Sequence, residues 1–174
     1  MVSQTHEKQM KIEKQYARRS LVDFEHLRED PFRYKSLTEL GDQAFIFALK
    51  EVNQKLISRD VDPLNPEKEF YDLVKFAGAS FNPLYWEVAY LDSEIAGVVC
   101  PQRYDDKPNE GSIFYFGLIP RCRGKGFGKV LHARGLSRLK AQGVTEYVGS
   151  TDIQNHAMIR TFINNNCRLT KIKT

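Results

Sequence analysis

The sequence lacks an apolar run long enough to cross a membrane. Its longest uninterrupted runs are about six residues (Ala44 to Leu49 is one), whereas a membrane-spanning helix needs ~20. The first fourteen residues are polar and contain no apolar signal-peptide core. Cysteine is scarce, since Cys100, Cys122 and Cys167 are odd in number and lack metal-ligand spacing. These absences argue against a membrane protein, a disulfide-stabilised secreted domain and a metal site, and they predict a cytoplasmic protein.

The charge of the chain is unevenly distributed. The 174 residues are enough for one well-packed core, and the net charge is +4. The segment from Leu118 to Thr174 contains 11 Lys and Arg against 2 Asp and Glu, a net +9 that leaves −5 for the rest. A basic surface suits an anionic ligand or nucleic acid. Because the basic residues alternate with glycines and helix-face positions rather than exposed aromatics, a nucleotide-like small molecule ranks above nucleic acid.

The most informative stretch runs from Ile113 to Leu131. Its first part, Ile113 to Pro120, is β-branched and aromatic and predicts a buried strand that the proline ends. Three glycines then alternate with basic residues before a helical pattern begins. The glycines are Gly124, Gly126 and Gly128, and the basic residues are Arg121, Arg123, Lys125 and Lys129. Glycines let the backbone approach a ligand, and a helix N-terminus presents free N–H groups, so residues 123–129 predict an anion-binding loop, called the cradle below.

Two other glycine motifs do not fit the cradle. A Walker loop needs Gly-Lys followed by Ser or Thr, and here Val130 follows Gly128-Lys129. A dinucleotide fingerprint needs a third glycine where Lys129 stands.

The order of predicted elements indicates a single α/β (α+β) domain with a mixed central sheet and helices on both faces. A strand is expected within residues 32–40, helices after Gly41 and Asn65, a hairpin over 86–100, the strand and helix flanking the cradle, a strand at 147–150, a helix capped by Asp152 or Asn155, and a short strand from Cys167. Residues 1–30 are predicted to be an N-terminal extension, a solvated arm followed by a docking segment, and residues 31–174 the domain.

These residues resemble the GNAT superfamily of N-acetyltransferases. The run from Arg123 to Gly128 matches the family's Arg/Gln-x-x-Gly-x-Gly/Ala motif, and Leu118-Ile119-Pro120 matches the hydrophobic-x-Pro that ends its fourth strand. Downstream, Asn155 to Phe162 is similar to the Asn-x-x-Ala/Met-x-x-x-Tyr segment of the family's fourth helix. The two motifs stand at the separation that the family has, and the resemblance covers the chain from about residue 32.

The resemblance implies acetyl-CoA, or a related acyl-CoA, as donor substrate, and no metal. The implied donor-binding residues are Leu118, Ile119, Arg123, Gly124, Lys125, Gly126, Phe127, Gly128, Lys129, Asn155 and Phe162. Cradle N–H groups would hold the pyrophosphate. Asn155 would contact the pantetheine arm, or serve only as a helix cap. The family also has a further strand after the last helix, which is expected to be missing here or supplied by a neighbour, as in a homodimer.

The resemblance also implies how an acyl group would be transferred. The backbone N–H of Leu118 would polarise the thioester carbonyl, and Gly117 is predicted to allow a bulge that frees this N–H. Glu110 is a candidate base because it is expected on the same strand face, and Glu87 is another. The residues expected to share that face are Glu110, Ser112, Phe114, Phe116 and Leu118.

The proton donor for the leaving thiolate is not evident. Phe162 stands where the family has a tyrosine in this role, and Ser150, Thr151 or Tyr115 are the substitutes that the sequence offers. The sequence therefore predicts an N-acetyltransferase that acts on a primary amine of an unidentified small molecule or peptide. The alternative is a non-catalytic CoA-binding or sensing domain on the same fold.

Overall fold

Seven strands of the computed structural model form one mixed sheet within the described residues, 13–54 and 65–171. The strands are β1 (Lys14–Ser20), β2 (Arg33–Ser36), β3 (Glu87–Leu91), β4 (Glu94–Arg103), β5 (Glu110–Leu118), β6 (Glu146–Asp152) and β7 (Arg168–Thr170). The helices are α1 (Leu37–Leu40), α2 (Asp42–Asn53), α3 (Pro66–Ala77), α4 (Phe127–Ala141) and α5 (His156–Asn164). The strand order is β2-β3-β4-β5-β6-β1-β7, and only β5 and β6 are parallel. The predicted mixed α/β architecture is confirmed.

Helices α3 and α5 begin where the sequence predicted them because their caps are local, whereas the short helix α1 was not predicted. The Asn65 side chain accepts hydrogen bonds from the N–H groups of Glu67 and Lys68, and Pro66 occupies the first turn of α3. Gly78 ends that helix with φ +69°. Asn155 caps α5 by accepting from the N–H of Met158. Within the described residues, no helix is both long and apolar enough to cross a membrane.

β5 lies at the centre of the fold and is packed by helices on both faces. Phe116 packs on His132 of α4, whereas a Cβ on the next residue, Gly117, would stand 2.5 Å from Val52 of α2. Because successive strand residues face opposite sides, α2 and α4 cover opposite faces of the sheet. Gly117 therefore serves the close approach of α2.

The bulge in β5 lies at Phe114, so the predicted bulge at Gly117 is wrong. The register with β4 shifts between Cys100, which pairs with Tyr115, and Pro101, which pairs with Ile113. Pro101 has no N–H to offer the ladder, and the extra residue accommodates that gap.

The bulge also changes which side chains of β5 share a face. Phe114 packs on Phe76 of α3, whereas Phe116 packs on His132 of α4. The prediction that residues 110 to 118 alternate on a single face without interruption is therefore wrong.

β1 is a strand that the sequence analysis missed. It lies in the sheet between β6 and β7 and is antiparallel to both, although it comes from the predicted extension. Its side chains are mostly charged or polar, and Ala17 alone is fully buried, so no apolar alternation marks it. Arg18 joins it to β5 and β6 through Glu110 and Glu146. The sheet therefore gains a strand from the beginning of the chain, while residues 1–12 of the predicted arm lie outside the described residues.

A charge at Ala17 should show whether β1 is part of the folded core. Because Ala17 is 0% exposed, Ala17→Asp would bury an unpaired carboxylate and should lower the free energy of unfolding by about 3 kcal/mol. Urea unfolding measures this. Lys14→Asp, at an exposed position of the same strand, is the control and should change stability by less than about 0.5 kcal/mol. Equal, small effects of both variants would contradict the role of β1.

Candidate functional site

The cradle has the backbone geometry that the sequence predicted. Gly124 and Gly126 have φ values of +72° and +85°, a left-handed region that favours glycine. A Cβ at either position would meet no atom of the described part of the chain within 4 Å. No side chain of the described residues caps α4, so the N–H groups of its first turn point out of the helix without a capping partner there. The loop therefore borders open space in front of a positive helix end.

The remaining cradle residues are held by packing. A Cβ on Gly128 would stand 3.3 Å from Thr161 Oγ1 of α5, so this glycine serves the contact of two helices. Phe127 packs on Phe32 with ring centroids 5.2 Å apart. Lys125 and Lys129 are exposed, and neither forms an ion pair with a described residue. The structure thus brings the predicted glycines and these two cations together at one helix end.

The Arg123 side chain faces the protein. Its Nε donates to the carbonyl of Leu118 at 2.9 Å, and its Nη2 donates to the carbonyl of Val52 at 2.9 Å. Arg123 therefore fixes the cradle to the end of β5 and to α2. Three of its five N–H groups have no partner among the described residues, so its predicted place beside a pyrophosphate stays a prediction.

The end of β5 has an open edge. β5 pairs with β6 only at Glu110 and Gly111, and the rest of the strand has no partner on that side among the described residues. The N–H of Ile119 donates to the carbonyl of Ala96 in β4 at 2.9 Å. Because backbone groups of consecutive strand residues point in opposite directions, the N–H of Leu118 points away from β4, toward the open edge. The N–H of Ile119 is already bonded to Ala96, and Ile119 lies beside the site because it directly follows Leu118.

The two predicted base candidates lie in ion pairs. Glu110 is eight residues from Leu118 along β5, roughly 26 Å at ~3.3 Å per residue, and contacts Arg18 at 2.8 Å. Glu87 is 3% exposed and receives two hydrogen bonds from Arg134, at 2.7 and 2.8 Å. These partners and positions argue against either carboxylate as the base at Leu118.

Phe162 is buried, so the prediction that it contacts the donor does not fit this structure. It is 1% exposed and packs on His132 and Tyr147, with ring centroids 5.8 and 6.5 Å away. Asn155, at the other end of α5, is exposed and acts as the cap of that helix. The two ends of the predicted motif therefore have different surroundings.

A buried hydrogen-bonded chain joins α4, α5 and β6, and no pattern in the sequence indicates it. Asn165 Nδ2 donates to the carbonyl of Lys129 at 3.0 Å and lies 2.9 Å from His132 Nδ1. Because a carbonyl can only accept, this amide nitrogen is the donor to His132 as well. His132 is then protonated on Nε2, which donates to the hydroxyl of Tyr147 at 3.1 Å. The chain fixes the start of α4 against α5.

A second polar group that sequence analysis missed lies on the opposite face of β5. Tyr115 donates from its hydroxyl to Asn53 Oδ1 at 2.6 Å, and Asn53 Nδ2 donates to Glu69 Oε2 at 2.8 Å. Burial raises the pKa of Tyr115, so its hydroxyl stays protonated. Tyr115, one of the predicted proton donors, is therefore already engaged.

Comparison with known proteins identifies a family. The model of the acetyltransferase (GNAT) family matches residues 49–163. A mycothiol acetyltransferase of Mycobacteroides abscessus is 28% identical over 90 residues, which are 51% of this chain and 30% of that protein. The chain therefore spans less than a third of that curated relative.

Solved structures share the fold at low sequence identity. A GCN5-related N-acetyltransferase from Sphaerobacter thermophilus has a TM-score of 0.64 and 14% identity, with coverage of 91% of this chain and 49% of the other. A GNAT acetyltransferase from Colwellia psychrerythraea has a TM-score of 0.65 and 12% identity, covering 92% and 53%. The ribosomal-protein-S18-alanine N-acetyltransferase of Escherichia coli has a TM-score of 0.54 and 17% identity, covering 76% and 74%. The chain spans about half the length of the first two structures.

Two glycines with the same backbone geometry allow a matched test of the cradle. Gly126 has φ +85° and Gly143, just after α4, has φ +84°, and among residues 13–54 and 65–171 no atom lies within 4 Å of a Cβ at either position. Alanine at either site should cost about 1 kcal/mol of stability through backbone strain. Only Gly126→Ala should weaken CoA binding, roughly tenfold or more, because the methyl group would enter the cradle and disturb charge-assisted hydrogen bonds. Calorimetric titration with CoA measures this, and equal affinities of the two variants would contradict the assignment.

His132 should make the fold sensitive to acid. Burial lowers the pKa of His132 to about 3, with the charge of Arg19 acting in the same direction, against 6.5 for the free side chain. Below pH 6.5 the unfolded chain therefore binds a proton that the folded chain does not, and stability is lost progressively as the pH falls toward 3. The loss between pH 7 and pH 5 should be about 2 kcal/mol.

Urea unfolding of variants isolates this contribution. His132→Gln should remove that part of the pH dependence. His156→Gln, which changes an exposed histidine, should keep the wild-type dependence. A wild-type slope in His132→Gln would contradict the buried neutral histidine.

Proposed function

The chain belongs to the GNAT family of acetyltransferases, and from this premise we propose that it transfers an acetyl group from acetyl-CoA to a primary amine. The acceptor would be a small molecule or a peptide. Its identity does not carry over from similar proteins, because these include both a mycothiol acetyltransferase and a ribosomal-protein acetyltransferase.

The observation that carries this proposal is the open edge of β5 next to the cradle. Arg123 holds the two parts together through the carbonyl of Leu118. An extended ligand anchored at the cradle could therefore lie along this edge and form strand-like hydrogen bonds there. A pyrophosphate fits the cradle because Gly124 and Gly126 leave space, the helix end is positive, and Lys125 and Lys129 add full charges.

The N–H of Leu118 would stabilise the oxygen of the reacting carbonyl. It points toward the open edge and takes no part in the pairing with β4, so it can donate to a bound acyl group. A backbone donor of this kind is held rigidly before the reaction starts, which favours the developing negative charge on oxygen. The surrounding strand thereby positions the acyl carbon for attack by an amine.

A second candidate function is CoA binding without turnover, and Phe162 is the observation that favours it. The position has no hydroxyl and is 1% exposed. A protein of this kind would bind acetyl-CoA through the same cradle and release no thiol when amines are added.

Thiol release from acetyl-CoA in the presence of a panel of primary amines separates the two functions. We expect at least one amine to accelerate thiol release well above hydrolysis, with the acetylated amine detected by mass spectrometry. Tight CoA binding without acceleration by any amine would favour the non-catalytic alternative.

Replacement of Leu118 tests the backbone donor. Leu118→Pro removes an N–H that does not face β4 and should lower kcat about 100-fold or more. Leu118→Ala loses the same buried side chain but keeps the N–H, and it should retain most of kcat. Similar values of kcat in the two variants, at matched CoA affinity, would show that this N–H does not act on the carbonyl.

A further inference from the structure

Helix α3 crosses the face of β5 that α4 does not cover. Phe76, in its last turn, packs on Phe114 with ring centroids 5.1 Å apart. Glu69, two turns earlier, reaches Tyr115 through Asn53, the last residue of α2. The N-terminal half of α3 therefore lies beside the C-terminal end of β5.

The polar group on this face reaches almost to Leu118. The Tyr115 hydroxyl oxygen is 3.7 Å from the position that a Cβ on Gly117 would occupy, and Gly117 directly precedes Leu118. This hydroxyl donates its proton to Asn53, so its lone pairs remain able to accept a hydrogen bond. The Tyr115 hydroxyl is therefore an available acceptor near the end of β5 on this face.

Glu69 is both half-buried and reachable. It lines a groove of about 470 Å³ along one side of α3, together with the apolar side chains of Leu73 and Phe76 and the polar residues Asn65, Lys68 and Asp72. Its Oε2 accepts from Asn53, and among the described residues no hydrogen-bond donor is found for its Oε1. The groove therefore joins a carboxylate oxygen at one end to an apolar surface at the other.

The other charged or titratable groups near Glu69 either have partners of their own or are uncharged. On α3 itself, Lys68 is paired with Asp72. From the cradle, Arg123 approaches the same region but donates to the carbonyl of Val52. From β4, the Cys100 thiol faces this region, and burial together with the charge of Glu69 keeps it protonated by raising its pKa. Burial raises the pKa of Glu69 against the opposing effect of the Asn53 hydrogen bond.

We propose that Glu69 binds the ammonium group of the acceptor and removes its proton, an inference that rests on the proposed acetyl transfer. The proton passes from nitrogen to Glu69 Oε1 and then to solvent through the groove. The neutral amine forms the C–N bond, the C–S bond breaks, and the second N–H proton ends on the departing thiol. Since Leu73 and Phe76 continue the groove, the preferred acceptor is a primary amine that carries an apolar chain or ring.

Amines of defined polarity test this assignment. At saturating acetyl-CoA, hexylamine and phenethylamine should be better acceptors than ethanolamine. Glu69→Gln keeps an acceptor for Asn53 but cannot take a proton, so kcat/KM for hexylamine should fall about 100-fold or more at pH 7. The affinity for CoA should stay within twofold. The wild-type fall of kcat/KM at low pH, where Glu69 becomes protonated, should disappear in this variant.

Glu67→Gln is the matched control, because it neutralises an exposed carboxylate two residues away on the same helix. It should behave as the wild type in turnover, in CoA binding and in the pH profile. If Glu69→Gln keeps kcat/KM within threefold, keeps the acidic limb or loses CoA affinity in parallel with activity, the assignment of Glu69 is overturned.

A binding measurement separates this inference from the proposed function. Hexylamine is titrated calorimetrically into wild-type and Glu69→Gln protein, each saturated with CoA, which carries no acetyl group to transfer. Hexylamine should bind the variant at least tenfold more weakly than the wild type. This difference without turnover of any amine would refute the transferase and retain the amine site. Equal affinities, or no binding to the wild type, would refute the amine site whether or not other amines are acetylated.

Discussion

The site depends on the separation of β5 and β6 after only two paired residues. Parallel strands normally continue to exchange hydrogen bonds, so a gap between them must be filled. Here Phe116 of β5, His132 of α4 and Tyr147 of β6 meet edge to face, and Phe162 of α5 completes the group. This aromatic cluster lies between the two strands on one face of the sheet. It supports their separation and leaves the edge of β5 free where Leu118 lies.

The aromatic cluster also explains why His132 is neutral. Its ring has only one acceptor nitrogen and one N–H, and both are used, by Asn165 and Tyr147. A second proton would place a charge among aromatic rings, where the described residues offer no anionic partner and a buried site cannot compensate the charge. The cluster that holds the strands apart is thus stable only with an uncharged imidazole. The same chain ends at the carbonyl of Lys129, so the separation of the strands is linked to the position of the cradle.

The sequence predicted the parts of the site that depend on local signals. The cradle glycines, the caps of α3 and α5 and the strand before the cradle all follow from residue types within one element. Partners from distant segments decided the rest. The bulge at Phe114 accommodates Pro101 on β4. Burial of Ala17 and backbone pairing hold β1 in the sheet. Arg123 finds its hydrogen-bond acceptors on β5 and α2. The sequence did not predict Glu69 because its polar group is completed by Asn53 and Tyr115, which belong to two other elements.

The burial of Phe162 changes the question of how the thiolate leaves. The residue fills the cluster that keeps β5 and β6 apart, so its lack of a hydroxyl reflects packing. Tyr115 donates to Asn53 on the other face, and Ser150 and Thr151 lie on β6 opposite Tyr16 and Gln15 of β1. Departure of an unprotonated thiolate would cost little, since a thiol of pKa ~8.5 lies about 1.5 units above pH 7, or roughly 2 kcal/mol. Enzymes lower barriers by about 8–23 kcal/mol, so an acid is the smaller requirement here. In the proposed reaction, orientation of the carbonyl by the Leu118 N–H at the open edge of β5 and removal of the amine proton by Glu69 would be the larger ones.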